Sequence, residues 1–369
     1  LSIMTIAGTR PEIIKLVPVV HALHREDGVD VRVCHSGQHV DLGREILNAA
    51  GIVPEEMLER PDAADVADLL AGLVVKVGAA IDRQRPDAVV VQGDTATSLA
   101  GALAAFHRQI PVAHVEAGLR SGDLSRPWPE EGYRKLIATI ARRHFAPTGA
   151  ARDALLAEGV AADTIHMVGN TVVDALHWAD GRIDADPTLG RAAEPLSEAA
   201  EGRALVLATI HRRETGPDAL KAIAAGLLAM VEREDVHLVL PLHPRPQSQV
   251  LRELLGGQAR ISLSSAVDYF AFVRLMRAAR LIVSDSGGIQ EEATAMGRPV
   301  LVLRETTERP EAVMAGTAKI VGHDADALFA AARLALAQPM PGPNDVFGDG
   351  HAGRRIAQRL ARDLINPNR

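Results

Sequence analysis

The chain has 369 residues, enough for two domains of ordinary size with a core each. It is 47% hydrophobic but only 3% aromatic, so its cores must be built from Ala, Val, Leu and Ile, a profile that suits parallel sheets covered by helices. A formal charge of -7 gives no electrostatic case for nucleic acid or an anionic membrane, and one cysteine excludes both an intrachain disulfide and a multi-cysteine metal site.

In chain order, apolar runs predict strands at residues 2–7, 29–36, 88–92, 111–115 and 144–146, with helical patterns between them such as 13–25 and 96–108. Cys34, in VRVCHSG, reads as a small buried hydrophobe rather than a nucleophile. The pattern restarts with strands at 204–209, 237–241, 261–263, 281–284, 299–303 and 318–320. This βα repetition predicts an α/β fold of two doubly wound, Rossmann-like domains with right-handed crossovers. The expected division is 1–170 and 171–350, with residues 178–202 as a helix tail and connection and a last helix within 351–369 returning to the first domain. The first strand begins almost at residue 1 and no apolar run reaches the roughly 18 residues of a membrane span, so a soluble cytoplasmic protein is expected.

Ligands in such sheets bind outside the carboxyl ends of the strands, so polar residues there are the candidates. The first turn, Gly8-Thr9-Arg10-Pro11-Glu12, puts Arg10 at a strand end and Lys15 behind it on one helix face; they are either a cationic site for a diphosphate or a helix-start arginine with a solvated lysine. Asp94 follows a buried strand as either a site acid or a helix N-cap. Glu116 ends an apolar strand where burial of a carboxylate is costly unless it is paired or functional. Glu130 and Glu131 open a helix after Pro127-Trp128-Pro129, with Arg134 one turn along. His211 follows the strand at 204–209, where a histidine can donate to a phosphate or move a proton.

The richest stretch is LIVSDSGGIQEEATAMGRPVLV, residues 281–302. It reads as a strand, a turn whose Gly287 and Gly288 permit φ > 0 and close backbone approach, and a helix start that aims N–H groups at an anion. A phosphate pocket and a plain Gly-rich βα turn both fit those residues. No HExxH or paired Cys/His spacing suggests a metal. The absence of GxGxxG after the first strand, of GxxxxGK[ST] and of GxSxG argues against a dinucleotide oxidoreductase, a P-loop ATPase and an α/β-hydrolase.

Taken together, GTRPEIIKL, SGQH, VQGDTATSLAGALAAF, VAHVEAGLRSGD, PWPEE, VGNTVVDAL, HRRE, HPRP, SDSGGIQEEA and ETTERPEAV resemble the non-hydrolysing UDP-N-acetylglucosamine 2-epimerase family, in order and over nearly the whole chain. The resemblance implies a glycosyltransferase-B-like architecture with the active site in an interdomain cleft, a UDP-sugar as partner, no cofactor, no metal and a homodimer. The implied reaction inverts carbon 2 of UDP-GlcNAc to give UDP-ManNAc: UDP is eliminated to leave a bound glycal, then re-adds as a proton returns to the opposite face. On this chain the resemblance implies Asp94, Glu116 and Glu130 as acids and bases, and His211, Arg10 and Lys15 around the diphosphate. It implies Ser286, Gly287 and Gly288 on the phosphates, Glu292 on the ribose, Arg134 near the sugar, and Tyr269 or Phe270 near uracil.

Gln38 and His39 match part of an allosteric site at which many bacterial members bind a second UDP-GlcNAc. Val40 replaces the arginine that follows them, and residues 65–72 lack the expected Gln-rich helix start. Tyr133 and Thr215 stand where the family usually has asparagine. The competing outcomes are a hydrolysing epimerase releasing ManNAc and UDP, a 2-epimerase for a related UDP-sugar, a glycosyltransferase of the same fold, and a non-catalytic nucleotide-sugar-binding protein.

Overall fold

The computed structural model describes residues 1–39, 41–212 and 215–365. The chain forms two compact bodies: residues 1–175 with the stretch from Gly348 onward, and residues Leu176–Phe347. The division falls inside one helix, Thr171–Ala185.

The first body holds a seven-stranded sheet: β1 (Ser2–Ala7), β2 (Asp30–His35), β3 (Glu56–Met57), β4 (Ala88–Gln92), β5 (Val112–Val115), β6 (Arg143–Ala146) and β7 (Ile165–Met167). Their order is β3-β2-β1-β4-β5-β6-β7, and every pairing is parallel. The second body repeats the plan with β8 (Ala204–Thr209), β9 (Val236–Leu242), β10 (Ile261–Ser265), β11 (Leu281–Ser284), β12 (Val300–Val302) and β13 (Ala318–Ile320), ordered β10-β9-β8-β11-β12-β13. The central strands are covered on both faces, so β4 (AVVVQ) is buried at every residue and β11 (LIVS) likewise. Their cores are aliphatic: Met4, Ile6, Val89, Val91 and Leu99 in one, Val206, Leu238, Leu240 and Val283 in the other.

Two edge strands, β3 and β7, were not expected. With two and three residues they carry no apolar run, and Met57 and Met167 are largely exposed; the hydrogen bonds of β2 and β6 make them strands. The connection at 178–202 is also more ordered than expected, with a short helix at Glu194–Glu198.

The last helix, Ala352–Ile365, belongs to the first body. Asp174 accepts its Ala352 and Gly353 N–H groups at 3.2 and 2.8 Å, which satisfies donors that a helix start otherwise leaves unpaired. Gly353 lies so close to the Arg10–Leu23 helix that a β-carbon there would sit 2.8 Å from the Pro18 carbonyl oxygen. Among the described residues, no helix is long and apolar enough to cross a membrane.

Candidate functional site

In each sheet the strand order reverses between two central strands, β1 and β4 in the first and β8 and β11 in the second. Such switch points open a crevice at the strand ends. Arg10, Asp94, His211 and Ser286 follow these four strands and Glu116 follows β5. Glu130 and Arg134 lie on the helix Glu130–Ile140, Gln38 and His39 follow β2, and Tyr269 and Phe270 open the helix Tyr269–Ala278.

At the first switch point, the Gly8-Thr9 turn leads into the Arg10–Leu23 helix, with Arg10 at its first position. Glu12, fully buried, anchors this turn: its Oε2 accepts the Gly8 and Thr9 N–H groups at 3.1 and 2.7 Å. Its Oε1 accepts the Thr95 hydroxyl at 2.6 Å and lies 2.9 Å from the Ser98 hydroxyl, which ties the β1 turn to the β4 turn. Burial pushes the Glu12 carboxyl up, against the opposing pull of those hydrogen bonds. The cap of the helix after β4 is Thr95, whose side chain accepts the Ser98 N–H at 3.1 Å. Asp94 is therefore not the N-cap. Its Oδ2 instead accepts Arg134 Nε at 2.8 Å and sits 2.7 Å from Nη2, while Arg134 Nη1 reaches Glu131 at 3.1 Å.

One strand over, Glu116 leaves β5 with φ of +63°, a left-handed conformation that costs a residue with a β-carbon roughly 1–2 kcal/mol. Its buried carboxylate is held by Lys15, whose Nζ is 2.5 Å from Oε2, and by Gln92 Nε2, which donates to the same oxygen. Lys15 is thus a partly buried partner of Glu116 rather than a solvated lysine. The Gly93 N–H donates to Val115 at 2.9 Å, so the ladder of β4 and β5 continues into the turns and sets the turn that carries Asp94 alongside the one that carries Glu116. His114 fixes the same turn by donating from Nε2 to the Gly93 carbonyl at 2.7 Å; burial pulls its ring down to about 3. Glu130 and Glu131 take different parts. Glu131 is buried, accepting the Ser121 and Gly122 N–H groups, whereas Glu130 is half-buried in the first helical turn, where its charge pushes Tyr133 up after the larger effect of burial. The Tyr133 ring packs between the cores under that helix.

Gln38 Oε1 accepts the Thr97 hydroxyl at 2.7 Å and its N–H at 3.2 Å, and the His39 N–H donates to Gly8 at 2.8 Å. Both residues therefore brace the β1 and β4 turns. Val40, and Arg213 and Glu214 of the HRRE segment, lie outside the described residues.

At the second switch point the organiser is Asp285, buried after β11. Its Oδ2 accepts the His211 and Arg212 N–H groups at 2.9 and 2.8 Å. The Ser286 N–H rests on Ser284 Oγ at 3.0 Å, and Ser286 caps the Gly287–Ala295 helix without a side-chain bond to it. Gly287 and Gly288 are not in the left-handed region. They are the first two helical residues, a correction to the expected turn, because the helix begins directly after Ser286. Close approach is what requires Gly287: a β-carbon there would lie 2.8 Å from Arg309 Nη1, and Arg309 is fixed by Glu291 at 2.8 Å and Glu308 at 2.7 Å. Nothing stands within 4 Å of the same position on Gly288. Glu292 is buried and accepts the Tyr269 hydroxyl at 3.1 Å, while Phe270 is core, packed on Trp178 with ring centroids 5.6 Å apart.

Gln92, Glu12, Asp285 and Arg309 were not singled out from the sequence. Gln92 and Asp285 carried the same signal as Asp94, a polar residue at a buried strand's end. Among the described residues, no cluster of His, Cys, Asp and Glu could hold a metal ion.

A family model described as UDP-N-acetylglucosamine 2-epimerase matches residues 21–361. A probable UDP-N-acetylglucosamine 2-epimerase of Ralstonia nicotianae is 41% identical, covering 97% of this chain and 98% of its own. The UDP-N-acetylglucosamine 2-epimerase of Salmonella typhimurium is 39% identical, covering 98% of each chain. The crystal structure of the Neisseria meningitidis UDP-GlcNAc 2-epimerase bound to UDP-GlcNAc superposes with a TM-score of 0.92 at 34% identity, covering 98% of this chain and all of the other.

Proposed function

We infer the function from one premise: this chain belongs to the UDP-N-acetylglucosamine 2-epimerase family. It interconverts UDP-GlcNAc and UDP-ManNAc, by elimination of UDP to a bound glycal, re-addition of UDP and reprotonation at carbon 2. The observation that carries the reading is the two partly buried ion pairs on adjacent turns, Lys15–Glu116 and Arg134–Asp94. The carbon-2 proton is weakly acidic, so its removal needs a placed base, and its return to the other face needs a second group. Neighbouring carboxylates with individual cationic partners supply both, with Glu130 a third at the helix start.

The leaving UDP is the task of the second body. Ser286, Gly287 and Gly288 present a helix N-terminus whose N–H groups and partial positive charge suit the diphosphate. His211, set by Asp285, adds a donor, and Glu292, oriented by Tyr269, suits the ribose hydroxyls. We assign Arg10 and Lys15 to the same diphosphate and Arg134 to the sugar, in a glycosyltransferase-B-like architecture. We further propose a cytoplasmic homodimer working without a cofactor, checked by sedimentation of the purified chain and by assay after exhaustive dialysis. The fit of Gln38 and His39 to the β1 and β4 turns supports a bracing role in preference to activation by a second substrate.

Incubation with UDP-GlcNAc in deuterated water, followed by NMR, tests the reaction. Deuterium at carbon 2 with UDP-ManNAc accumulating is the expected result. Free ManNAc with UDP would mean hydrolysis, and unlabelled sugar that nonetheless binds would mean a protein that only holds the nucleotide sugar.

A further inference from the structure

We propose that Gln92 is a positioning residue for catalysis: its side-chain amide fixes the Glu116 carboxylate in the orientation from which it exchanges a proton with carbon 2. This rests on the reading of Glu116 as an acid/base group.

Three observations converge. Gln92 ends β4 and is buried, and its Nε2 donates to Glu116 Oε2, the oxygen that Lys15 also holds at 2.5 Å. Two donors on one oxygen fix that end of the carboxylate and with it the plane of the group. Second, Glu116 has φ of +63°, so its backbone is not in a relaxed extended well and side-chain anchors must define where the carboxylate lies. Third, Gln92 is itself anchored. The Ser98 hydroxyl bonds the Gln92 carbonyl and lies 2.9 Å from Glu12 Oε1, and Glu12 precedes Lys15 on the same helix. The contacts Lys15–Glu116–Gln92–Ser98–Glu12 therefore close a ring that begins and ends on one helix and spans the turns after β1, β4 and β5. A ring of this kind resists rotation of the carboxylate better than Lys15 alone, whose stem has several free torsions. Placement errors of an ångström in such a group are costly in rate.

Gln92→Met keeps the length and removes the donor. The expected result is a fall in kcat of roughly ten- to a hundredfold with KM and UDP affinity within about twofold of the parent. The isotope effect with UDP-GlcNAc deuterated at carbon 2 should rise, because proton transfer becomes more rate-limiting; a purely structural role would leave it alone. Gln92→Glu, which keeps the shape but opposes one carboxylate with another, should lose kcat in the same way and serves if the first variant folds poorly. Parental kcat and isotope effect in either folded variant, or a loss of kcat matched by an equal loss of UDP affinity, overturns the proposal. Glu116→Gln in the same assays separates the two readings. If it is inactive while the Gln92 variants are normal, only the positioning role fails; if it is fully active, the acid/base reading of Glu116 fails with it.

Discussion

Asp285 grips His211 at two points: its Oδ2 accepts the His211 backbone N–H at 2.9 Å, and its Oδ1 lies 3.1 Å from the imidazole Nδ1. The carboxylate charge beside Nδ1 favours a proton on that nitrogen, although the pair is not aligned as a hydrogen bond. Asp285→Asn should retain the backbone bonds through its amide oxygen but set an NH2 group against Nδ1. We expect a folded protein whose UDP affinity falls roughly tenfold and whose kcat falls further, read by calorimetry and steady-state assay. Asp285→Ala also strips the two backbone donors and should cost about 1.5–3 kcal/mol in urea melts. Unchanged kcat in the folded asparagine variant would remove the His211 tautomer from the mechanism.

The two glycines of the Gly287–Ala295 helix should separate fold from ligand. Gly287→Ala drives a β-carbon to 2.8 Å from an Arg309 guanidinium that two glutamates hold, so it should lower both stability, by roughly 1–3 kcal/mol, and UDP affinity. Gly288→Ala meets nothing within 4 Å and is helical, so its Tm should equal or exceed the parent's. Its UDP affinity should nevertheless drop if the diphosphate rests on that N–H. Thermal melts with and without UDP decide the matter: an equal UDP-induced rise in Tm for Gly288→Ala and the parent would move the diphosphate elsewhere.

The sheet was legible in the sequence wherever strands are covered on both faces, because burial forces continuous apolar runs such as those of β4, β8 and β11. The edges β3 and β7 were not, since two or three residues paired to a neighbour need no apolar signature. The same contrast holds in the candidate site. Asp94, Glu116 and His211 stood out as polar residues at apolar strand ends, and Lys15 and Arg134 as cations near them, but the partners Gln92 and Asp285 did not. The bond from Gln92 to Glu116 depends on the register of β4 against β5, where Gln92 faces Val115, and register between strands distant in sequence is a tertiary property. The expected positive φ at Gly287 and Gly288 failed for a local reason: permission for such a conformation is not a requirement for it, and the helix begins at Gly287, two residues earlier than the turn reading assumed.

Acid should destabilise the protein through its buried histidines. Burial lowers His114 from 6.5 to about 3 in the native state, so at pH 5 the unfolded chain binds a proton that the folded chain does not. Stability is therefore full above about pH 6.5 and falls as pH drops toward the folded value, at a limiting slope of about 1.4 kcal/mol per pH unit for this one group. His35, His144, His166 and His237 are lowered as well, also chiefly by burial, and add to the slope. His114→Gln preserves a donor toward Gly93 and removes one titrating proton. Urea midpoints at pH 7, 6 and 5 should then show a shallower decline than the parent's, and an identical slope would mean that His114 is not the buried neutral ring its surroundings imply.

Arg134 tests whether the charge on Asp94 needs geometry or only neutralisation. Its guanidinium contacts Asp94 Oδ2 through Nε and Nη2 at 2.8 and 2.7 Å and spans to Glu131 through Nη1 at 3.1 Å, so one planar group fixes two carboxylates. Lysine keeps the charge but cannot hold both with the same fork. Arg134→Lys should fold, because Glu131 retains the Ser121 and Gly122 N–H groups, yet lose roughly a hundredfold in kcat as Asp94 drifts. Charge neutralisation alone would leave the lysine variant within a fewfold of the parent while Arg134→Met is inactive. Comparing the two by carbon-2 deuterium exchange, with UDP affinity as the control, distinguishes a positioned Asp94 from one that merely needs a cation nearby.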